Sequence, residues 1–213
     1  MDIWIFANGE IEEYGLLRER ILAGSVIIAA DGGLQHIRKM EMIPDVVIGD
    51  LDSVTDADLE WLKANSIEII RYPADKDETD LELAISFAVK SKNSRIRIAG
   101  GAGGRTDQLL GNIFLLLQPE LSGMDIKLDD GVEETFLIRS NTNIQGSHGD
   151  VVSLLPLNGS AVGITTSGLK YPLYGETLYP EKTRGVSNVM LVDLAAIQLE
   201  KGVLLCVHTR KRK

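Results

Sequence analysis

The sequence predicts a Rossmann-like, three-layer α/β domain over residues 1–124 and an all-β domain over 125–213. Three observations predict it. Short, continuous apolar runs alternate with helix-period segments through the first half of the 213-residue chain, the mark of a parallel sheet covered on both faces. The breaker "QPELSG", near residue 120, ends that alternation. Beyond it, strand-like pieces follow one another with turn signals between them, as in a β-sandwich or barrel.

The elements follow in order. "IWIFA" reads as a strand before a helical stretch over 11–23, "VIIAA" as a strand before a helix over 34–40, and "VVIG" as a strand before a helix over 56–64. "IEIIRY" and "RIRIAG" each precede a further helix. The clearest helix is "TDLELAISFAVKSK". Thr79 and Glu82 have capping-box spacing, and Leu81, Ala84, Ile85 and Ala88 make one apolar stripe. Thr106 is expected to cap the next helix, whose core face is Leu109, Leu110, Ile113, Phe114 and Leu117. The second half supplies "DIKLDD", "ETFLIRS", "DVVSLLPL", "AVGITTSG", "VMLVDLAAIQLE" and "VLLCVHT", with Gly202 in a hairpin turn.

Composition bounds the function. A hydrophobic content of 44% supports a substantial core. The chain has no apolar run of membrane-spanning length, and "MDIWIFANGE" reads as a strand rather than a signal peptide. A net charge of −9 is the wrong sign for a nucleic-acid footprint, and the closing "TRKRK" reads as a small solvated tail. His36, His148 and His208 lack zinc-ligand spacing, and no G-x-S-x-G elbow supports a serine hydrolase. A single cysteine, Cys206, fits a reducing cytoplasm.

The chemistry gathers at the strand ends. The first five strands run into Asn8-Gly9, Asp31-Gly32-Gly33, "GDLDS", "PADKDETD" and "GGAGGRTD". In a parallel sheet these ends share one edge, where ligands bind. Asp50, Asp52, Asp77, Asp80 and Asp107 would crowd that rim, and their repulsion calls for a counter-ion. Mg²⁺ suits carboxylate and phosphate oxygens. Asp50 and Asp52 flank Leu51, so an extended segment would point both carboxylates the same way. The Gly-rich loop with Gly103 and Gly104 lets backbone N–H groups approach phosphates, and Lys76 and Arg105 are the cations placed to hold them. Asp31 and Gly32 join the nucleotide-binding set.

The ordered motifs "DGG", "GDLDS", "DKDETDLELA", "GGRTDQLLGN", "SLLPL", "GLKYPL" and "GVSN" together resemble the thiamine pyrophosphokinase family. The resemblance implies transfer of a pyrophosphoryl group from ATP to thiamine, giving thiamine diphosphate and AMP. It further implies Mg²⁺, a C-terminal β-sandwich, and a homodimer with thiamine sites between subunits. By motif, Asp50, Asp52 and Asp80 would bind Mg²⁺ and the ATP phosphates, assisted by Asp77. Arg105 would sit on phosphate and Asp107 toward thiamine or metal, while Ser187 and Asn188 would help form the thiamine pocket. Gln108 and Val189 depart from the bacterial pattern, in which a histidine and an acid are common. Three rivals follow from the same residues: a pterin-type pyrophosphokinase, a Mg²⁺-dependent phosphohydrolase with Asp50 or Asp52 as nucleophile, and a nucleotide-binding module without turnover.

Overall fold

A computed structural model describes residues 1–90 and 95–211. Its contacts divide the chain into two compact units, Met1–Gly131 and Val132–Lys213.

The first unit is built on six parallel strands: β1 (Asp2–Phe6), β2 (Val26–Ala30), β3 (Val46–Gly49), β4 (Glu68–Arg71), β5 (Arg95–Ala99) and β6 (Asp125–Asp129). They lie in the order β4-β3-β2-β1-β5-β6. The helices are α1 (Tyr14–Arg20), α2 (Leu34–Lys39), α3 (Asp56–Ala64), α4 (Asp80–Ala88) and α5 (Thr106–Leu115). Trp4, Phe6, Ala29 and Val47 pack in one core with Leu17 of α1, Leu34 of α2 and Leu62 of α3. The alternate residues Ile3, Ile5, Ile28 and Ile48 are just as buried, and α4 lies against β1, β2 and β3. Burial at both parities is why these strands read as continuous apolar runs. β6 extends this sheet by pairing parallel with β5. The unit therefore ends at Gly131, beyond the 124/125 boundary that the breaker suggests.

The helix ends follow local chemistry. Thr55 and Asp58 form a reciprocal capping box on α3. Thr79 Oγ1 accepts from the Glu82 N–H at the start of α4, but the Glu82 carboxylate accepts from Gln118 Nε2 at 2.9 Å instead of closing the box. The expected α4 stripe is fully buried. That helix ends at Ala88, and part of its expected tail lies outside the described residues. In α5, Thr106 is the first helical residue rather than the cap. Leu110 and Phe114 are 46% and 51% exposed, so part of the expected core face is open. Apolar periodicity marks a face without stating what covers it.

Gly33 shows how tightly the sheet edge is built. A Cβ placed there would lie 1.8 Å from the Phe6 carbonyl oxygen. Gly33→Ala is expected to cost about 3 kcal/mol, since backbone cannot yield as a side chain does. Urea denaturation checks this, and a loss under 1 kcal/mol would refute the close packing.

The second unit contains β7 (Glu133–Ile138), β8 (Thr142–Gln145), β9 (Val151–Ser167), β10 (Glu176–Leu178), β11 (Asn188–Val189), β12 (Leu194–Gln198) and β13 (Lys201–Thr209). β13 pairs antiparallel with β7 and with the first part of β9, which also carries β11. The far end of β9 pairs with β12 and β10, and β12 pairs with β8. Both ladders close on one apolar core that includes Phe136, Leu154, Ile164, Met190, Ile197 and Leu204.

Two turn signals mislead here. Asn158-Gly159 is a hairpin dipeptide, yet both residues lie inside the 17-residue β9 with φ of 61° and 111°, and "DVVSLLPL" and "AVGITTSG" are one strand. Gly202 sits not in a turn but within β13, at a register shift between Lys201 and Val203.

His208 is buried in this unit between two carboxylates: Nδ1 is 3.1 Å from Glu134 Oε1 and Nε2 is 2.9 Å from Asp150 Oδ2. Arg210 Nη2 donates to Glu134 Oε2 at 2.8 Å, and the Lys211 N–H donates to Asp150 Oδ1 at 2.9 Å. The basic tail is therefore tied down as far as Lys211, and the last two residues lie outside the described residues.

Candidate active site

The C-terminal edge of the first sheet gathers the acids. Asp31 follows β2 in a 3-10 turn, and Asp50 and Asp52 follow β3. One carboxylate oxygen from each of the three lies within 4.8 Å of the others. At that spacing each pair repels by about 3–4 kcal/mol at an effective dielectric of 20, so the arrangement calls for positive charge.

The backbone here is unusual. Leu51 has φ of 67°, so the segment is a tight turn rather than the extended stretch expected. Leu51 is 6% exposed, and its side chain is anchored in the core. The Asp52 N–H donates to Asp50 Oδ1 at 3.0 Å across the turn. Asp31 also has a left-handed φ of 43°. Such backbone is uncommon for residues with side chains, and here it sits beside clustered charge.

Asp80 begins α4 and stands outside the triad. Its Oδ1 is 3.1 Å from Lys76 Nζ, which lies 3.8 Å from Asp50 Oδ2. Burial, with help from the Asp31 and Asp50 charges, holds the Asp80 carboxyl above its ordinary range despite Lys76. Burial opposes the Lys76 charge, but Asp80, Asp50 and Asp31 together raise its pKa. Gly49 closes the floor of this crevice. A Cβ on it would meet Asp31 Cβ at 2.9 Å and Asp80 Oδ1 at 3.1 Å.

A cavity of about 440 Å³ opens beside the acids, lined by Asn8, Gly9, Asp31, Asp80, Gly101 and Asp107 among others. Gly103 lines it too, with φ of 83°, and the loop is pinned by Asn112 Nδ2 donating to the Gly101 carbonyl at 2.8 Å. Its size suits a nucleotide-scale ligand. Gly32 is buried beside Asn8, Gly104 is exposed, and Asp77 is exposed in the loop before α4. Arg105 and Asp107 form an exposed bidentate ion pair with a shortest distance of 2.6 Å. Arg105 holds the Asp107 carboxyl below its ordinary range.

In the second unit, Ser187 is exposed and its N–H donates to Ser153 Oγ at 3.0 Å. The Asn188 amide is buried and spent on backbone: Oδ1 accepts from the Tyr171 N–H at 2.9 Å, and Nδ2 donates to the Tyr171 carbonyl at 2.7 Å.

The sequence reading assigns Asp31 to the nucleotide and gives Asn8 no role; in the structure the Asp31 carboxylate lies beside those of Asp50 and Asp52, and Asn8 lines the cavity. Both Asp31 and Asn8 follow the C-terminal ends of neighbouring strands, which brings them to the shared edge without fixing which groups meet there.

Residues 18–128 match the "Thiamin pyrophosphokinase, catalytic domain" family, and residues 136–204 match "Thiamin pyrophosphokinase, vitamin B1 binding domain". A thiamine pyrophosphokinase of Bacillus subtilis is 28% identical over 184 residues, covering 85% of this chain and 86% of that protein. Thiamine pyrophosphokinase 3 of Oryza sativa is 33% identical over 170 residues, covering 73% of this chain and 62% of that protein. The crystal structure of the Bacillus subtilis enzyme superposes with a TM-score of 0.89 at 26% identity over the full length of both chains. That of a thiamin pyrophosphokinase from Geobacillus thermodenitrificans gives 0.86 at 24% identity, covering 100% of this chain and 99% of that one, which speaks for the mixed α/β, sheet-rich fold. With the motifs in order, the acids gathered at one edge and both halves matched, this chain belongs to the thiamin pyrophosphokinase family.

Proposed function

We propose that the protein transfers a pyrophosphoryl group from ATP to the hydroxyethyl oxygen of thiamine, releasing AMP and thiamine diphosphate. The observation that carries the reading is the convergence of Asp31, Asp50 and Asp52 beside the cavity, in a chain matched to this family in both halves. The thiamine oxygen attacks the β-phosphorus, and the bond from that phosphorus to the α–β bridging oxygen breaks. Such transfer asks a protein for positioning and charge neutralisation. The Gly-rich loop and Arg105 serve the phosphates, and Asp107 orients the thiamine hydroxyl. On this reading the two units are a Rossmann-like nucleotide domain and a β-sandwich.

The residues present fit Mg²⁺. The donors are all carboxylate oxygens, the preference of a hard cation. Asp31 is 7% exposed, and its Oδ1 is buried without a hydrogen-bond partner. Asp31, Asp50 and Asp52 would hold the ion, with Asp80 at its margin. When bound, Mg²⁺ supplies neutralisation of the phosphate charge.

Ser187 remains proposed for the thiamine pocket, and Asn188 for shaping it through Tyr171. We also propose a homodimer. Tyr171, Tyr174, Val192 and Leu194 are 49–76% exposed in the second unit, apolar surface that a second copy would cover. Light scattering should give twice the 23.3 kDa chain mass. A cytoplasmic location belongs to the same reading, resting on the single cysteine and the reducing setting it fits. No helix among the described residues is long and apolar enough to cross a membrane.

The test is incubation with ATP, Mg²⁺ and thiamine, with a pterin alcohol as control. AMP and thiamine diphosphate are expected in equal amounts. Free phosphate without AMP, or preference for the pterin, would overturn the assignment. Asp107→Asn should lower turnover about 100-fold, and near-normal turnover would remove Asp107 from the mechanism.

A further inference from the structure

We propose that Lys76 is a built-in stand-in for the divalent cation: its ammonium neutralises the acid crevice in the empty protein and must change partners when metal and ATP enter together. The inference rests on the metal reading given above. Three observations carry it. The Lys76 side chain is 11% exposed, so most of it is covered by the crevice. Its Nζ lies 3.1 Å from Asp80 Oδ1 and 3.8 Å from Asp50 Oδ2, spanning two acids whose backbones come from different strand ends. Asp31 Oδ1, close by, is left buried without a hydrogen-bond partner. The crevice is thus only partly neutralised.

The exchange follows from charge. Three carboxylates, those of Asp80, Asp50 and Asp31, act on one ammonium, and Asp52 lies beside two of them. A free divalent ion entering this crevice meets the Lys76 charge at close range, and that repulsion lowers its affinity. ATP changes the balance. Its phosphates offer Lys76 a new anionic partner within reach of a flexible four-carbon stem, and the carboxylates are released to the metal. Lys76 therefore couples the two ligands, and by linkage each raises the affinity of the other. The device disfavours filling the site with metal alone.

Mn²⁺ titration followed by electron paramagnetic resonance, on nucleotide-free protein, tests this directly. Wild type should bind Mn²⁺ weakly, and Lys76→Met should bind it about tenfold more tightly or better. Lys76→Arg should stay weak, because it keeps the charge. A non-hydrolysable ATP analogue should tighten Mn²⁺ binding strongly in wild type and much less in Lys76→Met. Circular dichroism confirms that the variants fold, and Lys76→Gln replaces Lys76→Met should the latter fail. Unchanged or weaker Mn²⁺ binding without Lys76, in a wild type that binds Mn²⁺ with the analogue, overturns the stand-in role alone. No Mn²⁺ binding in any variant, with or without the analogue, overturns the stand-in role and the metal site together.

Discussion

Asp31→Asn is expected to lower turnover by about 10²–10³-fold, in the range seen when one electrostatic group is removed from a preorganised site, while leaving the fold intact. The backbone at Asp31 has φ of 43°, which asparagine accepts as readily as aspartate. The amide keeps one oxygen donor but loses the charge that a divalent ion needs. It also removes one member of a repelling triad. Metal-free Asp31→Asn should therefore melt no lower than wild type, while the gain in melting temperature from added Mg²⁺ shrinks. Together the two outcomes separate a ligand from a structural acid, because a structural acid would cost stability. Turnover within threefold of wild type would remove Asp31 from the site.

The second large effect lies in the other unit. His208→Ala should destabilise the protein by about 3–5 kcal/mol, the cost of leaving buried charges without their partner. Asp150 and Glu134 are 3% and 7% exposed, and each would lose its ring-nitrogen partner. Asp150 also sets a pH dependence. Burial works to raise its pKa but is outweighed by the Lys211 N–H, the His208 ring and the Ser147 N–H, so its carboxyl stays below the ordinary range. A group depressed in the folded state contributes stability that is complete above its unfolded value. That stability is lost as pH falls through the lower folded value. The unit should accordingly hold its stability down to about pH 4 and weaken below it, and Asp150→Asn should flatten that acid limb. Thermal melts from pH 3 to 7 give the answer, and identical acid limbs in the two proteins would contradict it.

Legibility in the sequence tracked locality. Strands buried on both faces announce themselves as apolar runs, and β1 to β5 lie where those runs predict. Thr79 and the α4 stripe were equally plain, because a cap and its helix are a few residues apart. What depends on distant partners was hidden. β6 looks like its antiparallel successors, and only its pairing with β5 assigns it to the first sheet. The face of α5 reads as core although Leu110 and Phe114 are open. At the site, the shared strand edge could be inferred from alternation. The left-handed turn at Leu51, and the choice of Asp31 over Asp80 as companion to Asp50 and Asp52, could not. Those depend on backbone angles that spacing does not encode. His208 lacked metal-ligand spacing and so carried no signal, and its two carboxylates are 58 and 74 residues away.

β9 has a consequence for the second unit as a mechanical object. One strand belongs to both ladders, so opening one disturbs the other. Strain imposed at one end is carried along a covalent rail to the other. Unfolding of the unit is therefore expected to be cooperative.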